Sequence, residues 1–60
     1  MITALLIDDE EHNRSALGTL IRSHCPELTV VGEAADANEG CAKIVALQPQ
    51  LVFLDIQMPR

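Results

Sequence analysis

The sequence has 60 residues, of which 48% are hydrophobic and 22% charged, and its net charge is −5. This composition is typical of one small globular domain and argues against a disordered chain. The negative charge disfavours direct nucleic-acid binding by this segment. No apolar run approaches the ~20 residues of a membrane span, and residues 2–7 are too short for a signal-peptide core. We therefore expect a cytoplasmic protein without membrane contact.

The first half of the chain contains a strand, a helix and a second strand. Residues 2–7 form an apolar run without polar alternation, which is typical of a strand buried on both faces of a parallel sheet. From Glu11 the apolar residues recur at helical spacing, and Pro26 ends the predicted helix near His24 or Cys25. Residues 28–31 are rich in β-branched side chains and predict a second strand, with Gly32 at the start of a loop.

The second half adds another helix and another strand. Asp36 followed by Glu39 has the form of an N-cap with a capping box, and the apolar spacing beyond it continues up to Pro49. Residues 51–54 are again wholly apolar and predict the third strand. The two cysteines, Cys25 and Cys41, lack the spacing of a metal site, so we expect reduced and partly buried thiols.

This β-α-β-α-β order predicts an α/β fold, a doubly wound parallel sheet with right-handed connections. In the flavodoxin-like order the first strand lies between the other two, which gives the strand order 2-1-3 with one helix on each face. The sequence contains no linker, so no second domain is expected within residues 1–60. The third strand would then be an open apolar edge, which predicts a homo-oligomer paired through that edge.

Acidic side chains follow two of the predicted strands. Asp8 and Asp9 come directly after the first strand, and Asp55 directly after the third. Because the carboxyl ends of parallel strands meet at one edge of the sheet, we expect these carboxylates to converge. Such a donor set suits Mg²⁺ rather than zinc. Asp55 stands alone on its strand and is the candidate nucleophile toward a phosphorus centre.

Each acidic residue also has a structural explanation. The acids at residues 8–11 would be favourable at the positive end of the first helix, as N-caps or through the macrodipole. Asp55 could be a solvated residue at a strand end. His12 is expected to be solvated, and His24 is expected to belong to a helix end. Met58 is expected to be a packing residue.

Three segments carry a family resemblance. Leu-Leu-Ile-Asp-Asp-Glu at 5–10, Val-Gly-Glu-Ala at 31–34 and Leu-Val-Phe-Leu-Asp-Ile-Gln-Met-Pro at 51–59 resemble the response-regulator receiver domain of bacterial two-component signalling. The resemblance implies that Asp55 accepts a phosphoryl group from a histidine kinase. It also implies that Asp9, Asp55 and the backbone carbonyl of Gln57 bind Mg²⁺, that Asp8 assists through water, and that Met58 and Pro59 shape the loop after the acceptor.

The chain also departs from the family pattern. Receiver domains that it resembles have five strands, with a Ser or Thr after the fourth and a Lys after the fifth, and Lys43 cannot replace that lysine because it lies in the second predicted helix. We therefore expect residues 1–60 to be the amino-terminal half of a receiver domain. Phosphotransfer by this half alone is expected to be slow or absent, and no enzyme activity is expected apart from the autocatalysis of the complete domain.

Two alternatives from other functional classes stay open. One is a Mg²⁺-dependent phosphoryl-transfer or hydrolytic enzyme on the same framework, although such a hydrolase would usually have another aspartate where Gln57 stands. The other is a non-catalytic module that self-associates through the third strand.

Overall fold

A computed structural model describes residues 1–55 of the chain as three parallel strands and two helices. The elements in chain order are β1 (Ile2–Asp8), α1 (Glu11–His24), β2 (Leu28–Ala34), α2 (Ala37–Leu47) and β3 (Leu51–Asp55). The strand order in the sheet is β2-β1-β3, and both pairings are parallel. The predicted flavodoxin-like arrangement, with the first strand in the centre, is confirmed.

The two helices lie on opposite faces of the sheet. Leu6 of β1 faces Gly18 of α1, whereas its neighbour Ile7 faces Gly40 of α2. Successive side chains of a strand point to opposite faces, so these two contacts assign one helix to each side. The core is centred on β1, and its buried apolar members are Ala4, Leu5, Leu6, Ile7, Ile21 and Ala34.

The second strand is longer than the sequence predicted. It continues through Gly32 to Ala34, because the register skips Val31: Ala4 pairs with Val30 and Leu5 with Gly32. A bulge of this kind inserts one residue and lets pairing resume beyond it. Gly32 does not begin a loop, as expected, but allows close approach of α2, since a Cβ there would lie 2.9 Å from Leu47 Cδ1.

The buried strips of the helices are narrower than their apolar spacing suggested. Leu20 and Val45 belong to the predicted apolar faces, yet they are 55% and 77% exposed. The helices contact β1 and β2 but not β3, so each is covered along only part of its apolar side. The cysteines are free thiols, with Cys25 partly buried as predicted, while Cys41 is exposed, contrary to the prediction.

The predicted capping box at the start of α2 is present. Asp36 Oδ1 accepts a hydrogen bond from the Glu39 amide at 2.8 Å, and Glu39 Oε1 accepts one from the Ala35 amide at 2.9 Å. The return bond therefore reaches the residue before the cap rather than the cap itself. The first bond satisfies the Glu39 amide, which the first turn of α2 leaves without an intrahelical partner, and the second satisfies the amide of Ala35, which precedes the helix.

The third strand depends on β1 for its position. Gln50 and Thr3 exchange hydrogen bonds where β3 begins: the Thr3 amide donates to Gln50 Oε1 at 3.1 Å, and the Gln50 amide donates to Thr3 Oγ1 at 3.0 Å. Within residues 1–55, β3 pairs with β1 alone.

Neither helix in this part of the chain has the length and apolar character needed to cross a membrane.

Candidate functional site at the carboxyl edge of the sheet

Two of the predicted site residues are brought together by strand pairing. Asp8 ends β1, Asp55 ends β3, and the two are register partners. Two residues earlier, on the same face of the sheet, Leu6 and Phe53 are also register partners. Because side chains alternate along a strand, Asp8 shares the face of Leu6, which is the face covered by α1. Parallel pairing thus converts two acids 47 positions apart in sequence into neighbours at one edge.

A cavity of about 170 Å³ opens beside this pair. Asp8 and Asp55 line it together with Arg14 of α1. The rest of its wall is apolar and consists of Leu6, Ile7, Leu17, Phe53 and Leu54. It is a crevice at the carboxyl ends of parallel strands, the position where open α/β sheets bind ligands.

Asp8 is held at both its side chain and its main chain. It is only 7% exposed, and its Oδ1 accepts a hydrogen bond from the Glu10 amide at 2.8 Å. Its carbonyl accepts a hydrogen bond from Arg14 Nη1 at 2.6 Å. Glu10 occupies the N-cap of α1 without a side-chain capping bond. The carboxylate of Asp8 therefore stabilises the bend before the helix rather than capping the helix itself.

Arg14 is a site residue that the sequence analysis missed. Its guanidinium donates to the Asp8 carbonyl and also to Glu33 Oε1 of β2, where the Nε–Oε1 distance is 3.2 Å. The signal available in the sequence was an arginine in the first turns of the helix that follows the strand-end acids. That pattern is weak, because an arginine in such a helix is usually solvated.

Basic and acidic side chains extend this network across the end of β2. Lys43 of α2 donates to the carbonyl of Glu33 and pairs with Glu39 at 3.3 Å. Glu39 also accepts a hydrogen bond from the Ala35 amide. That bond, the hydrogen bond from Lys43 and the positive charge of Lys43 lower the pKa of the Glu39 carboxyl. Lys43 is thus engaged on the α2 side of β2 rather than at the Asp8–Asp55 crevice.

The remaining predicted ligands are placed differently. Asp9 lies in the bend after β1, is exposed, and is not among the residues that line the crevice. Gln57, Met58 and Pro59 lie outside the described residues. Among residues 1–55, no three His, Cys, Asp or Glu side chains are grouped closely enough to hold a metal ion. His12 is exposed, as expected, and His24 is the last residue of α1, as expected, where it is also exposed.

The donors at the crevice fit a hard cation. Asp8 and Asp55 offer only carboxylate oxygens, and Mg²⁺ typically takes one or two carboxylates while it keeps several waters. A crevice of about 170 Å³ is large enough to hold such waters, since a water occupies about 30 Å³ in the liquid. Asp8 and Asp55 are therefore the two carboxylates at this crevice that could hold a hydrated divalent cation.

Comparison with known proteins identifies the family. Residues 4–60 match the family model of the response regulator receiver domain, so the chain belongs to that family. It is 47% identical over its whole length to protein-glutamate methylesterase/protein-glutamine glutaminase 1 of Myxococcus xanthus, where it covers 17% of the relative. It is also 50% identical over its whole length to an uncharacterized response regulatory protein of Vibrio vulnificus, where it covers 24%. No solved structure matches the chain.

The chain thus spans a quarter or less of these relatives. One sequence-based prediction must be corrected in their light. The prediction that this protein is not an enzyme is wrong, because relatives that match the full chain bear the name of an enzyme. The Myxococcus xanthus relative is one of them. A second relative with that name, from Geobacter sulfurreducens, is 44% identical over 98% of the chain. Receiver sequences of this kind therefore occur in enzymes, and the fold alone does not exclude one.

Proposed function

We propose that this chain is the phosphoacceptor part of a response regulator, in which Asp55 accepts a phosphoryl group from a histidine kinase. The observation that carries the proposal is the pairing of Asp8 with Asp55 at the carboxyl edge of the sheet. Family membership supports it, because it makes a kinase the expected kind of partner. Membership also favours this function over that of an independent phosphoryl-transfer enzyme.

In this proposal Asp9, Asp55 and the backbone carbonyl of Gln57 would hold Mg²⁺, and Asp8 would contribute through a water molecule. When bound, the cation would neutralise charge on the phosphoryl oxygens. An Asp55 carboxylate oxygen attacks the phosphorus atom, an O–P bond forms, and the N–P bond of the kinase phosphohistidine breaks. Asp8 is well suited to a supporting role, because the Glu10 amide and the Arg14 guanidinium already fix its position.

We also propose that residues 1–60 form the amino-terminal half of the receiver domain. The family's hydroxyl and lysine, expected after its fourth and fifth strands, have no counterpart at strand ends in this sequence. Phosphotransfer by residues 1–60 alone should therefore be slow or absent. The cytoplasmic location expected from the sequence also stays a prediction.

Phosphorylation by a small phosphodonor tests the proposal. The intact protein is incubated with acetyl phosphate and Mg²⁺, with and without a chelator, and its mass is measured. We expect one metal-dependent phosphoryl group, which is lost in Asp55→Asn and retained in Asp36→Asn. The second variant is a matched control, because asparagine caps a helix as well as aspartate does. Labelling that survives in Asp55→Asn would contradict the proposal.

Self-association is a second candidate function, and a specific feature of β3 favours it. Its apolar side chains are only partly covered, with Leu54 67% exposed, and within residues 1–55 its outer edge has no strand partner. Exposed strand edges pair readily with other chains. We propose that residues 1–60, when isolated, associate through this edge. Sedimentation that shows a compact monomer at micromolar concentration would contradict this second proposal.

A further inference from the structure

The guanidinium of Arg14 connects three elements, α1, β1 and β2, beside the candidate site. Arg14 lies in α1, donates to the Asp8 carbonyl at the end of β1, and bonds Glu33 near the end of β2. Its side chain is 15% exposed, whereas that of Glu33 is 51% exposed. Arg14 therefore lies largely inside the fold, and Glu33 approaches it from the solvent side.

The geometry of α1 explains how the Arg14 side chain reaches the ends of β1 and β2. The Arg14 amide bonds the carbonyl of Glu10, the N-cap residue, so Arg14 lies one turn into α1. Helical side chains lean toward the N-terminus, which directs the Arg14 side chain back over the strand end that precedes the helix. The fork of the guanidinium then supplies donors in two directions, one for the Asp8 carbonyl and one for Glu33.

The bond to the Asp8 carbonyl acts on the peptide that joins Asp8 to Asp9. A peptide unit is planar, so fixing its carbonyl oxygen also fixes the direction in which the chain leaves toward Asp9. The second restraint on this bend is the bond from the Glu10 amide to Asp8 Oδ1. One restraint acts on the main chain and the other on the side chain of the same residue.

We propose that Arg14 is a positioning residue for the acidic site: it holds the Asp8–Asp9 peptide in place, and Glu33 keeps its guanidinium oriented. The inference rests on the proposed function for its consequence, since the acids it positions are the proposed Mg²⁺ ligands. Groups that orient metal ligands from outside the coordination sphere typically alter metal affinity by about 10- to 100-fold.

The Arg14→Lys variant tests the positioning role of the guanidinium while it keeps the positive charge at residue 14. A neutral replacement would remove a cation beside the carboxylates, and that change alone would favour Mg²⁺ and mask a loss of geometry. Lysine keeps the charge but lacks the planar fork, so it cannot reproduce both bonds with the same geometry. Arg22→Lys is the matched control, because Arg22 lies on the same helix and, within residues 1–55, its side chain donates only to Thr19 Oγ1, at 3.5 Å.

Two readouts on the intact protein test the inference. The first is the Kd for Mg²⁺ alone, measured by calorimetric titration. The second, measured without metal, is amide hydrogen exchange at Glu10, compared with exchange at Leu6 in the core of β1. For Arg14→Lys we expect a Kd about 10-fold higher and faster exchange at Glu10 with Leu6 unchanged. We expect Arg22→Lys to match the parent, and Glu33→Gln to shift both readouts in the direction of Arg14→Lys.

The outcomes separate this inference from the proposed function. If the parent binds no Mg²⁺ but Arg14→Lys still accelerates exchange at Glu10 alone, the positioning role stands and the proposed metal function fails. If exchange at Leu6 accelerates equally, Arg14 is a general structural residue and the inference is overturned. It is also overturned if Arg14→Lys matches Arg22→Lys in both readouts.

Discussion

Asp8 and Asp55 are register partners on neighbouring parallel strands, and their side chains line one crevice. Adjacent strands lie about 4.8 Å apart, so the sheet itself holds two acidic residues side by side. Like charges on facing positions of neighbouring strands destabilise a sheet unless a cation or a proton joins them. Without a metal the pair therefore weakens the sheet slightly, and the same pair favours the binding of a divalent cation.

This relationship predicts opposite effects of Asp55→Asn with and without Mg²⁺. Without metal, removing one of the paired charges should raise the free energy of unfolding by about 0.2–1 kcal/mol. With Mg²⁺, the parent should gain stability by mass action whereas the variant should not. Urea unfolding at several Mg²⁺ concentrations measures both effects, with Asp36→Asn as the control. Equal stabilisation of parent and variant by Mg²⁺ would argue against a site at Asp55.

The packing of the two helices against β1 predicts that Gly18 of α1 and Gly40 of α2 respond differently to substitution by alanine. A Cβ at Gly40 would lie 2.5 Å from Ile7 Cδ1, and Ile7 is buried, so Gly40→Ala should destabilise by about 1–3 kcal/mol through overpacking. At Gly18 the nearest atom would be Arg22 Nη1 at 3.5 Å, an ordinary contact. Gly18→Ala should instead stabilise by about 0.4–1 kcal/mol. Denaturant unfolding of the two variants checks the difference in sign.

Packing at the centre of the sheet predicts a large loss for Leu5→Ala. Leu5 is 0% exposed and forms a cluster with Ile7 and Ala34 on the α2 face. Truncation of a buried leucine typically costs about 2–5 kcal/mol. Val45→Ala is the control, because Val45 is largely exposed and should change stability by less than about 0.5 kcal/mol. Similar losses in the two variants would show that the core is not centred on β1.

The capping network of α2 predicts an acid dependence of stability that belongs to Glu39. The bond from the Ala35 amide, and then Lys43, hold the pKa of the Glu39 carboxyl below its ordinary value. A lowered folded-state pKa contributes stability that is fully present above the unfolded-state pKa and is lost as the pH falls through the folded-state value. Glu39→Gln should therefore flatten part of the acid limb of the stability profile.

Unfolding free energies from neutral pH down to acid measure this effect. Glu11→Gln serves as the control, since Glu11 is an exposed glutamate in the first turn of the other helix. An acid limb that is equally steep in the parent and in Glu39→Gln would contradict the assignment.

Much of the fold follows from local pattern in the sequence, and the exceptions have tertiary causes. The uninterrupted apolar runs and the Asp36–Glu39 box predicted the element order, and the flavodoxin-like arrangement placed β1 in the centre. Right-handed crossovers then place the two helices on opposite faces. The extent of β2 was missed, because pairing past Val31 and the approach of Leu47 to Gly32 are set by neighbouring elements. Local sequence carries no record of either contact.

The sequence likewise predicted part of the candidate site. Acids at strand ends predicted the Asp8–Asp55 neighbourhood, because parallel topology alone brings strand ends together. Arg14 was not predictable, since its role depends on a side chain that crosses from α1 to the Asp8 carbonyl and on a partner, Glu33, from another strand. Both bonds join different secondary-structure elements, and only the assembled fold shows them.

The most direct test of the account is to identify the residue that carries the phosphoryl group. The intact protein is labelled with acetyl phosphate and Mg²⁺, digested rapidly at low temperature, and mapped by tandem mass spectrometry. We expect a single acid-labile phosphoryl group on Asp55. A phosphoryl group on Asp8, Asp9 or His12, with Asp55 unmodified, would contradict it.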